Sequence, residues 1–235
     1  MFQYAAALIL SAHHEVALPP ISENKHSGRD YRESLYYRLP HISEATAPDL
    51  PLDAFTPWRP TDFRGPVLLR GYFQYLPTIE PVIPTISKDI VNYLTPQREM
   101  LRKKYHLSDL SAIGFIHVRR GDYLTAPAGF NTMDYTTYYQ KAKALAPNLS
   151  RWLILSDDVA WCKTNLHDEV INEPDELVGL ALMSLCHGGA IIANSTYSWW
   201  GAMLGPNEAR APVIYPLQWL NDAHPVIFQR AWIGC

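Results

Sequence analysis

Arg119 and Arg120 stand side by side between His117 and Asp122, directly after a run of apolar residues. Each guanidinium offers a planar fork of donors that matches phosphate oxygens, so a pair at a strand end points to a nucleotide or other phosphorylated donor. A buried salt bridge is the competing use for such a pair. Two more polar clusters follow apolar runs: Ser156, Asp157 and Asp158, then Asn194, Ser195, Thr196 and Ser198 within N-S-T-Y-S-W-W. The three clusters together supply guanidiniums for a diphosphate, carboxylates that accept hydrogen bonds from a base or sugar, and hydroxyls that donate to phosphate. Hydroxyls and backbone N–H groups at a helix start form a ready anion site. Asp157 and Asp158 have no further acidic ligands beside them, which makes a poor cage for a divalent cation. Capping the next helix is the better use of that pair.

These groups can converge only if the apolar runs are strands whose carboxyl ends share one rim. Residues 112–118 read as a buried strand, followed by a loop and a helix over 135–146. A strand over 152–155 leads into the Ser156 cluster and a helix through Trp161. A helix over 175–186 follows Pro174, then a strand over 190–193, the N-S-T-Y-S-W-W turn and a short helix. A last strand over 213–215 precedes an irregular tail. Alternation of this kind predicts an α/β fold, a parallel sheet with helices on both faces and a ligand site at the strands' carboxyl ends.

The first half is less regular. Residues 1–16 carry helical spacing, with Phe2, Ala5, Ala6, Ile9 and Leu10 on one side, and Pro19 and Pro20 stop the run. A short strand is expected at 35–39, a strand running into a loop over 66–74, and a helix over 86–105 kinked or broken at Pro96. The boundary expected between 105 and 110 divides the chain into residues 1–108 and 109–235.

A net charge of -3 and a pI near 6.3 leave no electrostatic footprint for nucleic acid. Cys162, Cys186 and Cys235 show neither an even count nor metal-ligand spacing, so they read as reduced thiols. No run approaches the roughly 18 apolar residues that a membrane span needs, and a cytoplasmic protein is expected. A Gly-rich phosphate loop, a Walker lysine, a G-x-S-x-G elbow and zinc spacing are all missing, which counts against kinases, NAD enzymes, hydrolases and zinc enzymes.

H-V-R-R-G-D-Y at 117–123, S-D-D…W-C-K at 156–163 and N-S-T-Y-S-W-W-G-A at 194–202 resemble the galactoside α-1,2-fucosyltransferases of glycosyltransferase family 11. M-F-Q-Y-A-A-A at 1–7 and G-Y-F-Q at 71–74 resemble the same family, in the same order. The resemblance implies a GT-B-like arrangement of two Rossmann-type halves, residues 1–108 on the acceptor side and 109–235 on the donor side. It implies inverting transfer of L-fucose from GDP-fucose to the 2-hydroxyl of a terminal galactose. On this resemblance Arg119 or Arg120 meets the diphosphate. His117 and one of Asp157 and Asp158 lie near the guanine or its ribose, while Asn194, Ser195, Thr196 and Ser198 line the diphosphate and fucose. No metal and no cofactor besides the GDP-fucose donor are implied, and the partner is a galactose-terminated glycan.

A fixed cation on the departing diphosphate stabilises developing charge, the task that metal ions perform elsewhere. Arg119, Arg120 and Asp122 are therefore the candidate catalytic residues. Beside two arginines Asp122 suits anchoring a guanidinium better than taking a proton, and the identity of the general base stays open.

The chain departs from the family pattern twice. Family members place a strand and a Gly-rich G-G-x-G-N-Q turn before M-F-Q-Y-A, and here Met1 is that methionine. The expectation is a truncated chain or misplaced start, an incomplete first half, and membrane association only through a segment upstream; eukaryotic relatives are Golgi membrane proteins with such an anchor. A non-catalytic protein binding GDP-sugar or glycan is the alternative function. Gly179 also stands where an acidic residue is expected, with a consequence for helix packing or for acceptor contacts.

Overall fold

The computed structural model describes residues 1–18, 30–31, 34–42, 47–125, 133–205, 212–220 and 226–235. The chain forms two compact units, Met1–Tyr93 with Pro225–Gln229, and Leu94–His224 with Arg230–Cys235. Both carry parallel sheet, the α/β class in accord with a GT-B-like fold.

In the first unit, helix α1 (Phe2–Ser11) buries Phe2, Tyr4, Ala5, Ala6, Ala7 and Leu10. It ends before Pro19 and Pro20, which lie outside the described residues. Strands β1 (Asp49–Pro51) and β2 (Leu68–Arg70) pair in parallel, in the register Asp49↔Leu68. β1 was not apparent in the sequence, because it is fully exposed and ends in proline. The strand expected at 35–39 is instead a series of turns in which the Leu35 and Tyr36 amides both bond to the Tyr31 carbonyl. Helices α2 (Leu76–Ile79) and α3 (Ile83–Tyr93) follow, α3 burying Ile83, Ile86 and Ile90 on one face.

Two segments far apart in the chain meet in this unit: the Gln3 side chain donates to the Gly71 carbonyl at 3.0 Å. Gly71 lies so close to the Leu52 carbonyl that an added Cβ would stand 2.7 Å from that oxygen. Phe73 holds a left-handed backbone, φ 53°, which a bulky residue adopts only when its surroundings compel it. Burial of its ring against Trp58 provides that compulsion.

The second unit begins with α4 (Thr95–Lys104), which is separate from α3 because Pro96 suits a first turn but not a helix interior. The break expected at Pro96 thus falls at Leu94. The domain boundary expected at 105–110 also shifts, since α4 packs against α7 (Glu176–Leu185) and Tyr105 donates to Glu173 at 2.6 Å. The remaining strands are β3 (Ile113–Val118), β4 (Arg151–Ser156), β5 (Glu169–Val170), β6 (Gly189–Ile191), β7 (Val213–Tyr215) and β8 (Ile233–Gly234). β8 lies in the tail expected to be irregular. Two residues make too short a pattern to announce a strand, and only the pairing with β7 defines it.

Helices α5 (Tyr135–Ala144), α6 (Val159–Asn165), α7 and α8 (Thr196–Met203) connect the strands. Asp134, Asp158 and Asp175 cap α5, α6 and α7 by accepting hydrogen bonds from first-turn amides, whereas Ser195 makes no such side-chain bond at α8. The sheet order is β5-β4-β3-β6-β7-β8, every neighbouring pair parallel. The chain therefore starts at the centre with β3, builds outward to β5, crosses back, and builds outward from β6. This is Rossmann order, and its switch point, where open sheets bind ligands, lies between β3 and β6.

One face buries Ile116, Val118, Ile154 and Ile191 beneath the α5 tyrosines and Cys162 of α6. The other face carries Leu155 beside α7 and His117 beside Tyr197 of α8. Cys162 and Cys186 are buried thiols, and Cys235 is partly exposed. Among the described residues, no helix is long and apolar enough to cross a membrane.

Candidate functional site

The three polar clusters leave β4, β3 and β6, which are neighbours in a parallel sheet, so they open on one rim beside the switch point. Side chains along a strand alternate between faces. His117 and Arg119 continue the α7/α8 face of β3, while Val118 and Arg120 continue the α5/α6 face.

Arg119 is 28% exposed and clamped between two carboxylates, its Nη2 2.9 Å from Asp122 and its Nη1 3.1 Å from Asp157. Its guanidinium lies 5.6 Å from the centre of the Tyr123 ring, and the Tyr123 hydroxyl donates to the Asn194 carbonyl at 3.0 Å. The arginine loop is thereby tied to the turn that opens α8. Asp122 begins a 3-10 turn, Asp122–Leu124, that brings its carboxylate back beneath Arg119.

Arg120 is used differently. Its guanidinium sits 4.2 Å from the centre of the Trp161 ring, and its Nε donates to Asp158 at 3.1 Å. Asp158 also caps α6 through the Trp161 amide at 3.0 Å, and that bond, helped by Arg120, holds its carboxyl below the ordinary range. Asp157 joins the two arginines, accepting from the Arg120 amide at 2.9 Å while pairing with Arg119. Gly121 makes this approach feasible, since a Cβ there would lie 2.8 Å from Asp157 Oδ2.

His117 is 4% exposed, and its Nδ1 has no hydrogen-bond partner among the described residues. Burial, aided by repulsion from Arg119, pushes its pKa down to about 3, so the ring is neutral at physiological pH. Its ring lies 5.4 Å from that of Tyr197.

The residues of the third cluster divide between surface and interior. Thr196 and Tyr197 are partly exposed at the start of α8. Asn194 is 2% exposed and donates to the Trp219 carbonyl at 3.0 Å. Ser198 is fully buried, and its hydroxyl is directed to the carbonyls of Ala193 and Ser195, at 3.3 and 3.1 Å. Asn194 and Ser198 thus shape the turn from within, and Ser195 is buried beside them. Gly179 answers to packing: a Cβ there would meet the Tyr197 hydroxyl at 2.3 Å, where that hydroxyl donates to the Glu176 carbonyl.

Sequence reasoning did not single out Tyr123, Tyr197 or the three tyrosines of α5, whose hydroxyls all donate to backbone carbonyls of other elements and loops. The spacing of Tyr135, Tyr138 and Tyr139 was a readable signal, because i, i+3 and i+4 place three hydroxyls on one helix face. Among the described residues, no three His, Cys, Asp or Glu side chains are grouped to hold a metal ion.

A Rossmann-ordered parallel sheet with a carboxylate-clamped arginine beside its switch point places the chain in the α/β class, with a candidate ligand site at that rim. The profile of glycosyl transferase family 11 matches residues 85–235, and the chain belongs to that family. It is 35% identical over 116 residues to the O-antigen biosynthesis glycosyltransferase WbnK of Escherichia coli, covering 44% of this chain and 38% of that protein. It is 30% identical over 120 residues to an alpha-1,2-colitosyltransferase of Escherichia coli, covering 45% of this chain and 40% of that protein. The chain therefore spans well under half the length of the curated relatives it matches.

Proposed function

We propose that the chain acts as an inverting, metal-independent galactoside α-1,2-fucosyltransferase, with its second unit holding GDP-fucose. The observation that carries this reading is Arg119, clamped at the switch point by Asp122 and Asp157 and tied through Tyr123 to the start of α8. In the reaction the bond from fucose C1 to the β-phosphate oxygen breaks and GDP departs with that electron pair. The 2-hydroxyl of a terminal galactose attacks from the opposite face, and its proton is released to solvent water. Arg119 supplies fixed positive charge to the departing diphosphate without reorganising, because its carboxylate partners already hold it. Asp122 anchors Arg119, and Arg120 contributes through the framework that Trp161 and Asp158 provide. His117, neutral and buried, shapes the guanosine end of the site from beneath, and Thr196, partly exposed, turns its hydroxyl to the phosphates.

The test is transfer of labelled fucose from GDP-fucose to lactose or N-acetyllactosamine in chelator-treated buffer. The expected product is cleaved by α-1,2-fucosidase. GDP binding without transfer to any galactoside would replace this reading with that of a non-catalytic GDP-sugar-binding protein. Similarity to the alpha-1,2-colitosyltransferase favours one variant, in which colitose is the transferred sugar. Competition between GDP-fucose and GDP-colitose distinguishes the two donors.

A further inference from the structure

Backbone carbonyls at the end of a parallel strand have no ladder partner unless the neighbouring strand runs on, and a buried carbonyl left without one is costly. At the β3 end those partners come from α5. The Tyr139 hydroxyl donates to the His117 carbonyl and the Tyr135 hydroxyl to the Arg119 carbonyl. Tyr138, one turn along, donates to the carbonyls of Ile192 and Ile214, at 2.9 and 3.3 Å. Tyr135 and Tyr139 are each 2% exposed. Burial raises both phenols, so they remain donors at any working pH.

We propose that Tyr135 is a positioning residue that sets Arg119 for the donor diphosphate. This rests on the donor-site reading above. Arg119 is held at both ends, its carbonyl by Tyr135 and its guanidinium by Asp122 and Asp157. The adjoining backbone is held as well, through the Arg120 amide on Asp157 and the Leu124 amide on the Arg120 carbonyl at 2.9 Å. A loop fixed in this way loses little conformational freedom when ligand arrives, and so more of the contact energy becomes affinity. The Tyr135 ring also packs on Tyr139 and edge-on to Trp161, the platform of Arg120. Phenylalanine keeps those ring contacts and removes the hydroxyl alone.

The experiment measures GDP affinity and melting temperature for the full chain and for Y135F, Y138F, R119A and the R119A/Y135F pair. Y135F is expected to weaken GDP binding about 5- to 20-fold while melting within a few degrees of the parent, as loss of preorganisation predicts. Y138F removes a comparable hydroxyl from β6 and β7, and is expected to lower the melting temperature yet leave GDP affinity within about twofold. In the R119A background Y135F is expected to add almost nothing, because the hydroxyl acts through Arg119. Unchanged GDP affinity in Y135F, or a loss that persists in full in R119A, would overturn the assignment while leaving the donor site intact. A parent chain that binds no GDP would overturn the donor-site reading, and the role of Tyr135 with it.

Discussion

Arg119 and Arg120 are adjacent, carry the same side chain and each pair with an aspartate, yet they belong to opposite faces of one sheet. On the α7/α8 face, the Arg119 guanidinium is paired with two carboxylates, Asp122 and Asp157, with side-chain exposures of 50% and 25%, and lies near the Tyr123 ring. The Arg119 side chain is 28% exposed at the rim. On the α5/α6 face, Arg120 is 18% exposed, lies over Trp161 and shares Asp158 with the cap of α6, so its charge is engaged by the loop and helix around it. Period-two alternation at the end of β3 is sufficient to give identical neighbours different tasks. On the proposed function, Arg119 holds the ligand and Arg120 holds the loop.

The sharpest way to break this contrast is to remove each guanidinium in turn. Arg119→Ala is expected to weaken GDP binding by roughly a hundredfold or more, since two carboxylates would then face the phosphates uncompensated. Its cost in stability should stay below about 1 kcal/mol, because both ion pairs are partly exposed. Arg120→Ala reverses the pattern. Loss of the Trp161 and Asp158 contacts should cost about 1–3 kcal/mol in chemical denaturation, with a smaller effect on GDP affinity. Equal losses of GDP affinity in the two variants would remove the division between the faces.

A smaller effect is expected from Gly179→Ala on the α7/α8 face. The new methyl meets the Tyr197 hydroxyl, and displacing that ring should outweigh the helix preference for alanine by about 1–2 kcal/mol. Adding Tyr197→Phe removes the obstructing oxygen and should recover part of the loss. Additive losses in the double variant would place the cost elsewhere.

The mildest prediction concerns pH. His117 is neutral when folded, with its pKa near 3, and binds a proton below about 6.5 when unfolded. The unfolded chain therefore holds the extra proton between those values. The resulting stability is fully present above the unfolded pKa and is lost as pH falls toward 3, by up to about 1.4 kcal/mol per pH unit. Melting curves of the parent chain and His117→Asn between pH 7.5 and 4.5 should converge as pH falls. Parallel curves would show that His117 does not drive the acid slope.

Much of the second unit was legible in the residues. Apolar runs of strand length, separated by aspartate-capped helices, located β3, β4, β6 and β7 to within two residues, because burial on both faces leaves a strand no polar positions to blur its edges. Asp158 was readable as a cap from its place before α6. The first unit was less legible. β1 is exposed, the turns near Leu35 carry a strand-like apolar spacing, and Phe73 adopts a backbone that its side chain alone would not choose. β5 and β8 have two residues each, and their strand character comes from their neighbours.

By itself the sequence determined the chemistry available, with two guanidiniums, an aspartate pair and a run of hydroxyls each placed after an apolar strand. It also determined the order of the longer elements of the second unit, since local periodicity and capping depend on residues within a few positions of one another. Only the tertiary structure decided that β3 and β6 are neighbours across a switch point, that Arg119 pairs with Asp122 and Asp157 while Arg120 lies over Trp161, and that Ser198 turns inward. Those outcomes depend on which side of the sheet each side chain meets and what packs there. The partners, Tyr135, Trp161, Asn194 and Tyr197 among them, come from distant parts of the chain and meet these residues only once the sheet has formed.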